Sequence, residues 1–270
     1  METLSPLLFP PVCVLCGDRT ERVAAKETTG DEGSRKFETF CRVCETSLTQ
    51  STPMMRTACD DCGWPRGARS DSAAVSSELS ACPKCHARES PHRFDRITPL
   101  YRYHDAARDA VVAAKYPRNA VVARELAKAL AARCRSRWPD LGGALSKADR
   151  PIVTSVPSPW IRQVRRGGSG TRLLAQYTAS NLNLHYVTLL HTTRPIAKQA
   201  LLDDEARRVN VHGAFQIRSR WLNRLQGREV LIVDDVMTTG ATADEIATIL
   251  HDAGVARVSL AVAALAMREK

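Results

Sequence analysis

Residues 230–242 read VLIVDDVMTTGAT, and this stretch decides how the second half of the chain is interpreted. It opens with four apolar residues, which is typical of a buried strand, and then passes through the acids Asp234 and Asp235. A short hydroxyl-rich turn leads into a helix predicted over residues 242–253. A strand, a turn and a helix in this order form the repeating unit of open α/β sheets, which bind ligands at the carboxyl ends of their strands.

The turn carries groups that suit a phosphate. Its hydroxyls and its glycine lie where the helix begins: Thr238, Thr239, Gly240 and Thr242. Unpaired backbone N–H groups and the helix dipole favour an anion at that point. Asp234 and Asp235 would repel a phosphate, but carboxylates accept hydrogen bonds from sugar hydroxyls and bind Mg²⁺. The pattern therefore indicates a sugar-phosphate site, with an ordinary strand–turn–helix and a threonine N-cap as the alternative.

The sequence argues against several other kinds of site. The turn lacks the Gly-Lys-Ser/Thr of a Walker A loop, and no Gly-x-Gly-x-x-Gly dinucleotide fingerprint occurs in it. The seven histidines show no metal-ligand spacing, and no order of serine, histidine and aspartate suggests hydrolysis. Aromatic residues make up only 5% of the chain and are not interleaved with the basic ones, which argues against a dedicated platform for stacking single strands.

The second half of the chain alternates between predicted strands and helices. The strands cover residues 97–103, 152–156, 186–190, 228–233 and 255–265, and the helices cover residues 106–115, 121–135, 171–181 and 242–253. This alternation predicts an α/β fold with a doubly wound, mostly parallel sheet. Before residue 95 the sequence is rich in Cys, Pro, Ser, Thr and charge, so we divide the chain into a cysteine-rich module over residues 1–95 and a sheet domain over residues 96–270.

Eight of the nine cysteines form four Cys-x2-Cys pairs: Cys13 and Cys16, Cys41 and Cys44, Cys59 and Cys62, and Cys82 and Cys85. A tight turn between two such cysteines aims both thiolates at one ion, and tetrahedral Zn²⁺ takes two pairs. The spacings between successive pairs, 24 and 19 residues, predict two structural zinc-ribbon sites formed by sequential pairs. Interleaved pairing remains open, as do disulfides or free thiols. The ninth cysteine, Cys134, is predicted to be a small core residue.

The charge of the chain is compatible with a phosphate-bearing partner. The formal net charge is +10 for 270 residues. Eight thiolates and two Zn²⁺ together add about −4, which leaves about +6. Such a charge suits small phosphate compounds as well as nucleic acid.

We expect a cytoplasmic protein without a membrane segment. No basic region precedes the first apolar patch, and Pro10 and Pro11 interrupt it. The longest apolar run, over residues 258–267, is too short to span a bilayer. Thiols stay reduced in the cytoplasm, which favours metal binding over disulfides.

Basic residues are predicted near the same edge of the sheet. Arg162, Arg165 and Arg166 follow a strand that ends at Pro157, and the glycine-rich residues 167–170 resemble an anion-binding turn. Lys115 ends a predicted helix. A solvated basic loop is the alternative for the arginines, and a favourable charge at a helix C-terminus is the alternative for the lysine. A further basic segment is predicted to cover the site, with Arg194, Lys198, Gln199, Arg207 and Arg208.

Residues 230–242 resemble the PRPP-binding motif of type I phosphoribosyltransferases, where PRPP is 5-phosphoribosyl 1-pyrophosphate. Together with the four cysteine pairs, they resemble the ComF family, bacterial proteins associated with competence for DNA uptake. The resemblance covers almost the whole chain and extends to Lys115-Tyr116, Val156-Pro157, Arg165-Arg166-Gly167, Gln199, Arg207, Asn210 and Ala214-Phe215. Where the family usually continues Arg-Gly with Phe-Asn-Gln, this chain has Gly168-Ser169-Gly170, which removes an aromatic and an amide from a ligand-facing loop.

The resemblance implies a type I phosphoribosyltransferase sheet that binds Mg²⁺ and PRPP or another ribose 5-phosphate. It assigns the catalytic role to Asp234 and Asp235. The implied substrate-binding residues are Val236, Met237, Thr238, Thr239, Gly240, Ala241, Thr242, Arg165, Arg166 and Lys115. Two functions follow. One is transfer of a phosphoribosyl group to or from a base. The other is a non-catalytic zinc-ribbon protein that binds single-stranded DNA or a protein of the competence machinery and uses the pocket to sense nucleotides.

Overall fold

The structure is a computed structural model that describes residues 12–20, 39–50, 52–66, 82–88, 90–141, 150–196 and 204–267. The strands in these ranges are β1 Arg96–Arg102, β2 Ile152–Ser155, β3 His185–Tyr186, β4 Leu190–Thr192, β5 Phe215–Ile217, β6 Glu229–Met237 and β7 Arg257–Leu265. The helices are α1 Arg42–Thr49, α2 Thr52–Arg56, α3 Pro83–His86, α4 Asp105–Ala114, α5 Ala120–Arg137, α6 Trp160–Arg166, α7 Gly170–Leu182, α8 Asp204–Val211, α9 Ser219–Leu222 and α10 Ala241–Asp252.

Five strands form a parallel sheet in the order β1-β7-β6-β2-β3. Helices α4, α5 and α7 contribute to the hydrophobic core on one face, and α10 contributes to the core on the other. Strand β6 is apolar on both sides because both of its faces are covered: Leu231 and Val233 join one core, and Val230 and Ile232 join the other. The doubly wound parallel sheet predicted from the sequence is confirmed.

The chain leaves strands β2 and β6 in opposite directions across the sheet. From β2 it passes through α6 and α7 to β3 on one side, and from β6 it passes through α10 to β7 on the other. Because β2 and β6 are neighbours, the two connections diverge and leave a crevice between them at the carboxyl edge. Open α/β sheets bind ligands at such a switch point.

The structure changes three details of the predicted elements. Strand β6 was predicted to end at Val233, but its pairing with β7 continues to Met237. The predicted strand over residues 186–190 is two short strands: β3 extends the main sheet, and β4 pairs antiparallel with β5 in a separate ribbon. Helix α6 was not predicted. The short apolar runs in this region satisfy more than one pattern, and only tertiary pairing separates them.

The cysteine-rich part of the chain packs onto the sheet domain. Leu48 of α1 belongs to the core on one face, and Met55 of α2, with no exposed surface, belongs to the core on the other. Arg137 of α5 donates to the carbonyl oxygens of Arg56 and Ala58, at 3.2 and 2.8 Å. The division of the chain at residue 95 remains a prediction. Within the described ranges, no helix combines the length and apolarity that crossing a bilayer requires.

Candidate functional site

Two carboxylates lie at the crevice between β2 and β6. Ser155, the last residue of β2, is opposite Val233, so β6 continues beyond its neighbour through Asp234 and Asp235. The Asp235 backbone N–H donates to Asp234 Oδ1, and the Val236 N–H donates to Asp235 Oδ1, both at 2.8 Å. The acids therefore belong to the strand, and backbone donors orient their side chains.

The two acids differ in their surroundings. Lys115 Nζ lies 3.3 Å from Asp235 Oδ2, and both side chains are largely covered. Burial of the Asp234 carboxyl and the negative charge of Asp235 raise the pKa of Asp234 well above its ordinary value of 3.8, although Lys115 counteracts this. Two adjacent carboxylates with one ammonium leave an excess of negative charge, which a cation or hydroxyl donors would relieve.

The predicted phosphate loop adopts the expected geometry at the start of α10. Gly240 is the N-cap with φ +86°, a left-handed conformation that favours glycine. The first N–H groups of a helix point along its axis toward the preceding turn, and here Ala241 N–H makes only a 3.4 Å contact with Thr239 Oγ1. Thr238 is exposed and Thr239 is half-buried. This end of the helix can accept a phosphate.

Not every residue of the predicted loop has its side chain at the crevice. Met237 is 6% exposed and packs in the core beside α10, while its carbonyl oxygen accepts from Ala266 N–H at 2.8 Å. Val236 packs against the opposite core, and Ala241 is buried. Met237 and Val236 were predicted to bind substrate. Their side chains instead secure the strand that leads into the loop.

Lys115 reaches Asp235 because two helices meet closely. A Cβ atom at Gly170, the first residue of α7, would lie 2.1 Å from the carbonyl oxygen of Ala114 and 2.6 Å from Lys115 Cα. Only glycine permits this approach. A small pocket lies at this contact between the helices, and its lining includes Lys115, Asp235, Gly170 and Thr171.

The structure separates the two predicted arginines. Arg166 is half-buried over the ring of Tyr116, the residue after Lys115, with its guanidinium carbon 5.9 Å from the ring centre. Arg165 is exposed on the last turn of α6. Because Gly167 and Gly168 N–H groups donate to carbonyl oxygens of α6, they cap that helix, and the prediction that they help form an anion-binding turn is wrong.

The predicted covering segment is only partly described. Arg207 is buried in α8, and Arg208 is exposed. Arg194 Nη2 donates to the His212 carbonyl oxygen at 2.6 Å. Lys198 and Gln199 lie outside the described residues, as does the side chain of Arg162.

A contact that sequence reasoning missed joins the phosphate loop to the region after the second cysteine cluster. Arg88 Nη2 donates to the Thr239 carbonyl oxygen at 2.9 Å, and His92 Nδ1 lies 2.8 Å from Asp244 Oδ2. Arg88 and His92 also contact each other, and the His92 side chain is 3% exposed. The partners are about 150 residues apart in sequence, and no local pattern distinguishes His92 from the other histidines. We call Arg88 and His92 the loop clamp.

The eight paired cysteines form two compact clusters, in the sequential arrangement predicted. In each cluster the four sulfur atoms lie within 4.8 Å of one another: Cys13, Cys16, Cys41 and Cys44 in the first, and Cys59, Cys62, Cys82 and Cys85 in the second. The shorter sulfur–sulfur distances are 3.6–3.8 Å. Four sulfurs placed tetrahedrally 2.3 Å from Zn²⁺ would be about 3.8 Å apart. Both clusters therefore fit zinc. Cys134 is buried in the core, as predicted.

The thiols of a cluster ionise unequally. Burial opposes ionisation of Cys13, but backbone N–H groups lower its pKa to about 7. Burial, with the neighbouring thiols of the same cluster, raises the pKa of Cys44 above its ordinary value of 9.0. Burial likewise raises the pKa of Cys62. Four adjacent thiolates repel one another, so full ionisation requires a cation among them.

Comparison with known proteins agrees with the site. Residues 162–270 match the family model described as the phosphoribosyl transferase domain. The DNA utilization protein YhgH of Escherichia coli (strain K12) is 30% identical over 222 residues, which are 82% of this chain and 88% of that protein. Competence protein F of Haemophilus influenzae is 31% identical over 109 residues, 40% of this chain and 47% of that protein. The chain belongs to the ComF family. The ComF resemblance found in the sequence is thereby confirmed.

Two solved structures are also similar to parts of this ComF-family chain. The glutamine PRPP amidotransferase from B. subtilis is 21% identical, with a TM-score of 0.33, over 51% of this chain and 25% of that one. The hypoxanthine phosphoribosyltransferase from Trypanosoma cruzi is 14% identical, with a TM-score of 0.33, over 53% of this chain and 62% of that one. The fold of this chain follows from its parallel strand order, β1-β7-β6-β2-β3, and from the helices that connect these strands.

Proposed function

We propose that the crevice between β2 and β6 binds PRPP together with Mg²⁺. Asp234 and Asp235 lie beside the start of α10, at the point where the connections from β2 and β6 diverge, and this placement is the main support for the proposal. The loop residues Thr238–Thr242 would bind the 5-phosphate through backbone N–H groups and hydroxyls. The two carboxylates would accept hydrogen bonds from the ribose hydroxyls.

The cations near the crevice suit the pyrophosphate of the same ligand. Lys115 pairs with Asp235 at 3.3 Å and, once ribose hydroxyls or Mg²⁺ contact that acid, its ammonium becomes available to an anion. Arg166 lies over the ring of Tyr116, which follows this lysine in the chain, and Arg165 is exposed one residue earlier. Mg²⁺ would neutralise charge on the pyrophosphate oxygens. The residues of the chain would position the ligand and stabilise the departing anion.

We propose phosphoribosyl transfer as the reaction of this site. The bond from C1′ to the pyrophosphate oxygen would break, and a nitrogen of the acceptor would form the new bond to C1′. Among the residues that the structure describes at the crevice, no side chain is placed as a dedicated general base, so the rate would depend on positioning and electrostatics. Zn²⁺ in the two cysteine clusters would be structural, because sites with four cysteine ligands leave no open position.

A second candidate function has support of a different kind. The relatives are named for DNA utilization and competence, and the net charge of +10 suits a polyanion. In this alternative the pocket senses a ribose phosphate without turnover, and the chain binds single-stranded DNA or a competence protein.

Calorimetric titration of Mg²⁺–PRPP into the zinc-loaded protein tests the proposed site. We expect binding by the wild type and at least about tenfold weaker binding by Asp235→Asn, because one charge-assisted contact contributes on the order of 1.5–3 kcal/mol. Asp109→Asn, an exposed acid of α4, is the matched control and should bind as the wild type does. Absence of binding by folded wild type would contradict the proposal.

Two further assays distinguish the candidate functions. An enzyme should release pyrophosphate from Mg²⁺–PRPP when the correct acceptor base is present, and Asp235→Asn should abolish that release. A DNA-binding protein should bind an oligothymidine with an affinity that falls steeply as salt rises. Pyrophosphate release without DNA binding favours the enzyme, and the reverse result favours the alternative.

A further inference from the structure

A second cleft lies at the opposite edge of the sheet from the phosphate loop. It has a volume of about 560 Å³ and is formed where β2, β3 and β6 begin. Strand β6 has nine residues, so the cleft and the phosphate loop are separated by roughly 25 Å. The cleft therefore lies outside the site described above.

The rim of the cleft is basic, and the described residues that form it carry no negative charge. Its polar lining is Arg150, Arg224, Arg228, His185 and Asn183, and no carboxylate lies among the described residues that line it. Arg228 Nη2 donates to the Arg150 carbonyl oxygen at 2.9 Å, and Arg150 Nη1 donates to the Asn183 carbonyl oxygen at 3.5 Å. These acceptors are neutral. Within the described residues, the Nε–H groups of Arg150 and Arg228 are buried and have no acceptor.

Other arginines at the same edge of the sheet are paired with acids. Arg96 and Arg257 each lie 3.0 Å from Asp140, and Arg257 also lies 3.0 Å from Glu229. Half-buried guanidinium groups are normally compensated in this way, because an unpaired charge away from water is costly. Arg150 and Arg228 are half-buried and have no acid partner among the described residues, which points to an anion as their missing partner.

The floor of the cleft is apolar and includes a tryptophan. Pro151, Ile152, Leu184 and Val187 line it together with Trp221. The Trp221 ring is half-buried, and Arg224 lies 5.6 Å from its centre. Its indole N–H has no acceptor among the described residues. A flat aromatic group fits against such a surface, and a few polar groups around an apolar floor are typical of small-molecule sites.

We propose that this cleft binds a nucleoside monophosphate. Its phosphate would contact Arg150, Arg224 and Arg228, and its base would pack on Trp221 and the apolar floor. A ligand of one phosphate and one base satisfies both halves of the cleft, whereas inorganic phosphate would leave the floor uncovered. This site is independent of the sugar-phosphate crevice, so the chain would hold two phosphate ligands at opposite edges of one sheet.

Calorimetric titration with adenosine 5′-monophosphate (AMP) tests the proposal, with adenosine and inorganic phosphate as partial ligands. We expect AMP to bind more tightly than either. Arg224→Ala and Arg228→Gln should each weaken AMP binding about tenfold. Arg224 is exposed, so its removal leaves folding intact, and glutamine at position 228 removes the charge of the half-buried arginine while keeping a polar side chain. Arg218→Ala, an exposed arginine outside the cleft, is the matched control.

Photolabelling with 8-azido-AMP then locates the base. Label on residues 183–187 or 221–228, retained in Asp235→Asn, supports the proposal. Label confined to residues 234–242, or lost in Asp235→Asn, would place AMP in the sugar-phosphate crevice and overturn it. Equal AMP affinity in wild type and both arginine variants would also overturn it. So would binding of an oligothymidine without binding of AMP, because the cleft would then be part of a nucleic-acid surface.

Discussion

At the residue scale, the two adjacent acids place function and stability in opposition. Asp234 and Asp235 lie side by side at the end of a buried strand, with Lys115 as the ion-pair partner of Asp235. The pKa of Asp234 is raised by burial and by the charge of its neighbour. A carboxyl whose pKa is higher in the folded state binds its proton more tightly there than in the unfolded chain. Its ionisation therefore destabilises the fold as pH rises above the ordinary value of 3.8 toward the raised one.

We accordingly predict that Asp234→Asn is more stable than the wild type at neutral pH and binds Mg²⁺–PRPP less tightly. The stability difference should be absent below pH 3.8, where Asp234 is neutral in both the folded and the unfolded chain. It should grow as pH rises from 3.8 toward the raised pKa of Asp234 and stay constant above that pKa. Thermal melts from pH 4 to pH 8 measure it. Asp109→Asn is the control and should show no such trend. A less stable Asp234→Asn at neutral pH would refute this explanation.

At the element scale, the phosphate loop is held from two sides. Strand β6 anchors it at Met237, and the loop clamp, Arg88 and His92, contacts it from the cysteine-rich part of the chain. A Cβ atom at Gly240 would lie 2.4 Å from His92 Cε1, so the histidine ring packs directly on the backbone of the loop. Packing between these elements decides whether the loop keeps the shape that receives a phosphate.

Gly240→Ala measures this packing. The left-handed φ alone should cost on the order of 1 kcal/mol, and the clash with His92 should add to that and weaken Mg²⁺–PRPP binding. Gly213→Ala is the matched control, because Gly213 has φ +65° with nothing within 4 Å of its added Cβ. The double variant Gly240→Ala/His92→Ala lacks the histidine ring. Its loss in free energy of unfolding caused by the Gly240→Ala change should therefore be closer to the loss in Gly213→Ala. Urea unfolding gives the free energies, and equal losses at Gly240 and Gly213 would show that His92 does not hold the loop.

At the scale of the whole molecule, helices of the cysteine-rich part of the chain contribute side chains to both hydrophobic cores of the sheet. Leu48 and Met55 lie in the cores on the two faces of the sheet, and Arg137 of α5 donates to carbonyl oxygens beside the second cluster. The second cluster also precedes the loop clamp in the chain. Zinc in this cluster would therefore support the phosphate loop, although the two lie in parts of the sequence far from each other.

Met55→Ala should consequently destabilise the sheet domain by about 2–5 kcal/mol, as expected for loss of a fully buried methionine. Unfolding should remain a single transition when followed by far-ultraviolet circular dichroism. Zinc content should remain at two ions per chain, because the cysteine ligands are unchanged. Val43→Ala, at a position 76% exposed, is the control and should change stability little. A loss confined to a separate low-temperature transition would show that the two parts unfold independently.

Much of the architecture could be read from local patterns. Apolar residues over 230–233 predicted the central strand, and four Cys-x2-Cys pairs predicted two cysteine clusters with the correct partners. The extension of β6 through Asp234 and Asp235 could not be read in this way, because polar residues rarely continue a buried strand. Its cause is the pairing of those residues with β7 after β2 has ended.

Sequence alone was sufficient to predict the parallel sheet, the two cysteine clusters and the loop that begins α10. Strand periodicity, the two-residue spacing within each cysteine pair and the residues at a helix start are all local patterns. Only the tertiary structure decided that Lys115 pairs with Asp235, that Arg88 and His92 hold the loop, and that Arg150, Arg224 and Arg228 share one cleft. Those groups are joined across tens to more than a hundred residues, and such proximity depends on how the helices pack on the sheet.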